Sequence, residues 1–234
     1  RGDWLSFADW GSLALMATVI QGAVLGLLLM GLPLLLGRST MSGRPGERLI
    51  TFFAAIGVGF LAVEIALMQQ LVLLLGHPAY SVTAVLVVLL IASGIGSLVS
   101  DRMAWETGRY LIGLIPVLLL MYRLGLLPLI HRAEGLALPL RWAIALVVLA
   151  PVSFLMGFPF SMGLRHFAGA DSGRVAWSWA ANGYASVVTA PLAALIALEL
   201  GTGAVFLLAV LGYLIASLLF ARSLTGPRAF SPSA

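Results

Sequence analysis

Residues 50–76 read ITFFAAIGVGFLAVEIALMQQLVLLLG. In this run one carboxylate, Glu64, and the amides Gln69 and Gln70 are the only side chains more polar than a hydroxyl. The hydrocarbon core of a bilayer is about 30 Å thick and is crossed by roughly 20 helical residues, so the run is long enough to span it. It does not alternate at period two, as a transmembrane strand would, so it reads as a helix. Glu64 then falls near the bilayer midplane, where an ionised side chain is costly and marks a partner, a proton or a function. The Gly76-His77-Pro78 sequence that follows breaks the run.

The rest of the chain agrees with that reading. Of 234 residues, 61% are hydrophobic and 9% charged, with a mean hydropathy of +1.08. Soluble domains carry about 25% charged residues, so this chain lacks the charge to coat a water-facing surface. All 13 basic residues are arginine, and they are spread over loops with no dense cluster, which excludes nucleic acid as a partner. Cysteine is absent, which removes disulfides, thiolate nucleophiles and cysteine metal sites. The chain opens on Arg1-Gly2-Asp3, and residues 1–11 lack the apolar core of a signal peptide. The expectation is a piece of a longer product.

Seven apolar segments reach spanning length: Leu13–Gly37, Ile50–Gly76, Tyr80–Ser100, Tyr110–Ile130, Leu138–Gly163, Val175–Leu198 and Ala204–Ala221. The expected fold is therefore all-α, a polytopic membrane bundle of about seven helices. Residues 1–224 form one transmembrane domain, and the Pro/Ser-rich 225–234 a disordered cytoplasmic tail. One set of alternate loops plus the tail holds nine arginines (38, 44, 48, 102, 109, 165, 174, 222 and 228) and the other side three (1, 132 and 141). The positive-inside rule then places the N-terminus outside and the C-terminus in the cytoplasm. Trp105, Trp177 and Trp179 fall at the inner interface, with Trp4, Trp10 and Trp142 at the outer one. The expected location is a bacterial cytoplasmic membrane, with lipid around the bundle.

Several residues could carry chemistry. Glu64 reads either as a proton- or cation-coupling acid or as a structural glutamate bonded to a neighbouring helix. Arg123, at similar depth in the fourth segment, is its natural partner, although it can also snorkel outward past Pro128. Ser178, Asn182 and Ser186 recur at i, i+4 and i+8, with Thr189 three further on, and so share a helix face. That stripe faces a substrate or bonds helices together, and the second reading has the greater weight. Gln69 and His77 complete the candidate intramembrane site.

Small-residue patches at Gly57/Gly59, at 93–97 and at Gly157/Gly163 allow close helix packing. His77 and His131 lie on the outer side and His166 on the inner, so topology excludes a three-histidine metal site. No hydrolase, zincin or phosphate-loop signature occurs, and no cofactor is expected in this chain.

Two stretches carry a family resemblance. Residues 52–70, continuing through Leu75-Gly76-His77-Pro78 to Ser93-Gly94-Ile95-Gly96-Ser97, resemble the membrane region of bacterial polytopic spermidine-synthase-like proteins. Residues 157–163 and 176–187 look like two further blocks of that family, and the resemblance covers roughly residues 50–216. It implies membrane helices beside a soluble domain of aminopropyltransferase or methyltransferase fold. No such domain is present here, so any transferase activity would lie outside this chain. Glu64, His77, Trp179 and Asn182 fall on the family's membrane motifs. A synthase-like domain before Arg1 should be cytoplasmic, whereas the arginines put Arg1 outside. Either the first segment does not span, the domain is exoplasmic, or this chain carried none.

Three functions are open from sequence. The first is a membrane domain that anchors a partner domain or moves a small polar or cationic solute past Glu64. The second is a non-catalytic scaffold subunit of a larger membrane complex. The third, an intramembrane enzyme, is weakest, because an aspartyl type needs a second facing acid. A transporter should line a polar path from Glu64 through Asn182 to one surface, and a scaffold should bury those groups in packing.

Overall fold

The computed structural model describes residues 10–28 and 46–225, and every long element in them is a helix. In chain order these are α1 (Trp10–Gly26), α2 (Glu47–Leu75), α3 (Pro78–Ser100), α4 (Trp105–Ala133), α5 (Leu138–Gly163), α6 (Ser172–Leu200) and α7 (Thr202–Thr225), with a single π-helical turn, Leu164–Ala168, after α5. The last six are long and apolar enough to cross a bilayer, the build of a membrane-embedded bundle. The expected first segment ran on to Gly37; of it, α1 is described, and residues 29–45 lie outside the described residues, as does the tail from 226.

Local chemistry sets the helix ends. Pro78 occupies the first turn of α3, where its missing N–H costs nothing, and His77 Nδ1 accepts from Ala79 N at 3.2 Å. Asp171 caps α6, its Oδ1 accepting from Gly173 N and Arg174 N at 2.8 and 3.1 Å. Two helix-to-helix breaks use glycine at positive φ, Gly76 at 76° and Gly201 at 82°. Most of the resulting helices overrun the apolar segments, by up to five residues at the N-terminal end and four at the C-terminal end, because capping and interfacial polar residues continue a helix beyond its hydrophobic stretch.

The most buried helix is α2, which α6 and α7 flank and α3, α4 and α5 also touch. Its neighbours run both ways. The pairs Phe53–Asn182 and Gly57–Ser186 set α6 parallel to α2, and Gln70–Thr202 sets α7 antiparallel to it. The Ser97–Ser161 hydroxyl pair sets α3 parallel to α5. Outermost, α1 packs mainly on α6, from Ser12 against Glu199 to Gly26 against Tyr184.

Glycine decides how closely these helices approach. A Cβ on Gly157 would lie 2.7 Å from Ser97 N, and one on Gly96 would meet the Phe154 carbonyl. The α3–α5 seam is thus backbone against backbone, the contact that small residues permit between membrane helices. Gly59 holds the ring of the fully buried Tyr213 from α7. Around the perimeter, α3 and α4 expose large apolar side chains such as Leu98, Tyr110 and Leu124, surfaces suited to lipid contact.

Candidate functional site

Gly94 is the exception within its patch, since a Cβ there would meet nothing within 4 Å. It borders a cavity of about 460 Å³ between α2, α3, α5 and α6. That volume lies within the range of small-molecule pockets, roughly 300–1,000 Å³. The walls are mainly apolar: Ile56, Phe60 and Leu61 from α2, Leu90 from α3, Met156 and Phe160 from α5, and Trp179 from α6. Polar groups enter at Ser93, Ser97, Ser161, Asn182 and Ser186. The Phe160 and Trp179 rings meet edge to face at 4.6 Å, joining α5 to α6 at the cavity wall. By position in the helices, the cavity occupies the half nearer Ser100, Gly163 and Ser172, the end that bears Arg102, Arg165 and Arg174.

Only part of the polar stripe on α6 reaches this site. Asn182 Nδ2 donates to Phe53 O at 3.2 Å and Ser186 Oγ to Gly57 O at 3.5 Å, so both tie α6 to the α2 backbone while lining the cavity. A Cβ on Gly57 would strike the Asn182 carbonyl oxygen, which is why the two helices can come this close. Ser178 and Thr189 instead turn back on their own helix, to Arg174 O at 2.8 Å and Ala185 O at 2.6 Å. Such i−4 bonds satisfy a hydroxyl in an apolar setting without a second helix.

Glu64 is the eighteenth of the 29 residues of α2 and is half-buried. It follows Phe60 by four residues and Leu61 by three, so it lies on the cavity face of α2 about one turn farther along. It is not part of the cavity wall, and its carboxylate takes no hydrogen bond or ion pair among the described residues. Arg123 does not reach it. Arg123 Nε donates to Gly203 O at 3.1 Å, and its guanidinium lies where a Gly203 side chain would be. That level is shared with Gln70, whose Nε2 donates to Thr202 Oγ1 at 3.0 Å. Glu64 is six residues deeper on α2, about 9 Å at 1.5 Å per residue. The Arg123 guanidinium therefore lies level with the first turn of α7, bonded to its backbone and away from Glu64.

The remaining candidates are dispersed. His77 is the α3 cap, with its ring 5.4 Å from Tyr80. Gln69 Oε1 is buried without a partner near the same end, as is Oε1 of Gln70, a residue 8% exposed. Among the described residues no group of three or more His, Cys, Asp or Glu side chains could hold a metal ion. The structure thus gathers Asn182 and Ser186 with Glu64 nearby, and separates Ser178, Gln69, His77 and Arg123 from them.

Sequence reasoning gave Ser161 no role beyond its place in the 157–163 block. It read Ser93, Gly94 and Ser97 as packing, and Trp179 as an interfacial anchor on a family-like motif. A signal was present in the 93–97 patch, which has more small residues than one helix contact uses, so that one side of it lines open space. Compared with protein-family models, with characterised proteins and with solved structures, the chain matches none.

Proposed function

We propose that this chain is a membrane-embedded binding domain that holds a small solute in the α2–α3–α5–α6 cavity and passes it along the α2 face that carries Glu64. The observation that carries this reading is the cavity itself: a mostly apolar chamber of about 460 Å³ with a few fixed hydrogen-bonding groups, inside a bundle of spanning helices. Glu64 adds an intramembrane acid one turn away, the feature such sites use for a proton or a polar group. With nine arginines on one side, the N-terminus lies outside, the C-terminus in the cytoplasm, and the cavity in the cytoplasmic half of the bilayer. A bacterial cytoplasmic membrane fits this arrangement. The spermidine-synthase-like resemblance would make the bundle the membrane region beside a synthase-like soluble domain.

The test is a cavity-filling variant. Gly94→Trp has open space to enter, so the bundle should fold. Native mass spectrometry of the full chain extracted from its membrane should find a retained small molecule in the wild type and none in Gly94→Trp. Equal occupancy in both would remove the cavity as the site.

A scaffold is the second reading. It is favoured by Asn182 and Ser186, whose hydrogen bonds to Phe53 O and Gly57 O serve packing, and by the broad apolar faces of α3 and α4. Affinity purification separates the readings. A stoichiometric membrane complex supports the scaffold, and a co-purifying soluble synthase-like domain supports the anchor role.

A further inference from the structure

We infer that the cavity opens sideways between α3 and α6 and takes a neutral amphiphile from the lipid, one with a short apolar chain and a hydroxyl-bearing head. This deepens the binding role proposed above and rests on it. Three observations lead to it.

The first is access. Both α3 and α6 pack on α2, and α3 packs tightly on α5; α6 meets α5 through the Phe160 and Trp179 rings, which close that side, and forms no packed interface with α3. Leu90 on one rim is 68% exposed and Trp179 on the other is 58% exposed. A gap between two spanning helices faces the acyl chains of the bilayer, so a solute reaches it from the lipid phase.

The second is charge. Among the described residues no charged side chain lines the cavity. Of the cations at its end, Arg165 pairs with Asp101 and Arg174 with Asp171, each at 3.7 Å, and Arg102 is exposed in the turn after α3, outside the wall. Glu64 lies beyond Phe60 and Leu61 and outside the wall. An ion in this chamber would lose its hydration with no counter-charge in the walls, which is strongly unfavourable.

The third is the pattern of hydrogen-bonding groups. Asn182 Nδ2 is committed to Phe53 O, which fixes the amide orientation, because only the nitrogen can donate there. Its Oδ1 remains an acceptor without a partner among the described residues. The Ser93 hydroxyl likewise takes no hydrogen bond among them. An acceptor-only group and an unpartnered hydroxyl lining one cavity call for a ligand that can donate, so an alcohol head fits where an ester or ketone alone does not.

Three probes of equal chain length test this: 1-decanoylglycerol, decylamine and decanoate, titrated at pH 8 into the full chain in nanodiscs. Binding is read by native mass spectrometry. The expected result is one 1-decanoylglycerol per chain, bound at least tenfold tighter than either ion. Ser93→Ala should weaken it about fivefold, the loss of one hydrogen bond, and Gly94→Trp should abolish it. A bromine at the end of the probe's chain should quench the emission that Trp179→Phe removes; absence of quenching overturns the sideways route. Preference for decylamine that disappears in Glu64→Gln overturns the neutral class while leaving the cavity as the site. Equal binding of all probes to wild type, Ser93→Ala and Gly94→Trp overturns the cavity reading as well.

Discussion

Replacing Gly157 with alanine puts one methyl group into the closest helix contact of the bundle. The new Cβ would stand 2.7 Å from Ser97 N and 2.9 Å from the Ser93 carbonyl carbon, both backbone atoms that cannot rotate away. Ordinary van der Waals contact begins near 3.4 Å, so α3 and α5 must part by at least about 0.7 Å. That separation strains the Ser97–Ser161 pair and loosens the Gly96–Phe154 contact. Overpacking of this kind costs roughly 1–3 kcal/mol, and a weakened interhelical hydrogen bond adds about 0.6 kcal/mol. Better helix propensity of alanine over glycine returns about 0.8 kcal/mol. The net expectation is a loss of roughly 1–3 kcal/mol, by adding those ranges. Gly94→Ala is the control: it lies on α3 in the patch that Gly157 faces, gains the same propensity and meets nothing within 4 Å. Reversible unfolding of the full chain in mixed micelles, followed by far-UV circular dichroism, should rank Gly94→Ala at or above wild type and Gly157→Ala well below. If the two variants unfold alike, the backbone-to-backbone seam between α3 and α5 is wrong.

Other substitutions probe the remaining contacts. Asn182→Ala removes the bond to Phe53 O and should cost about 0.6 kcal/mol, and no more than about 1.7, in the same unfolding assay, the average and maximum for interhelical bonds in a bilayer. Ser186→Ala, whose bond to Gly57 O is longer at 3.5 Å, should cost less, and the reverse order would contradict the geometry. Glu64→Gln removes a carboxylate with no partner among the described residues, so stability should hold or rise. A loss above 1 kcal/mol would reveal an ion pair or hydrogen bond to Glu64. Asp171→Ala deletes the α6 cap at a cost of about 1 kcal/mol, and amide exchange should quicken at Gly173 and Arg174 and leave the rest of α6 unchanged.

The amino-acid order alone determined the class and most of the helix register. Apolar runs of this length without period-two alternation read as helices long enough to cross a bilayer, and the breakers at Gly76-His77-Pro78 and around Gly201 lie where the helices end. The glycine patches were legible as packing devices for the same reason: a missing side chain is a local fact. What each residue faces was decided by the tertiary structure. Glu64 and Arg123 looked alike in depth within their own segments, yet the α4–α7 contact carries Arg123 to Gly203 at the helix ends. The α6 stripe looked uniform, yet α2 passes beside Asn182 and Ser186 and leaves Ser178 and Thr189 bonded to their own helix. The cavity was invisible in sequence because a void belongs to no residue. It exists where α6, packed on α2, forms no packed interface with α3 and meets α5 through one ring pair. Periodicity reports one helix at a time, and the space between helices depends on how all of them cross.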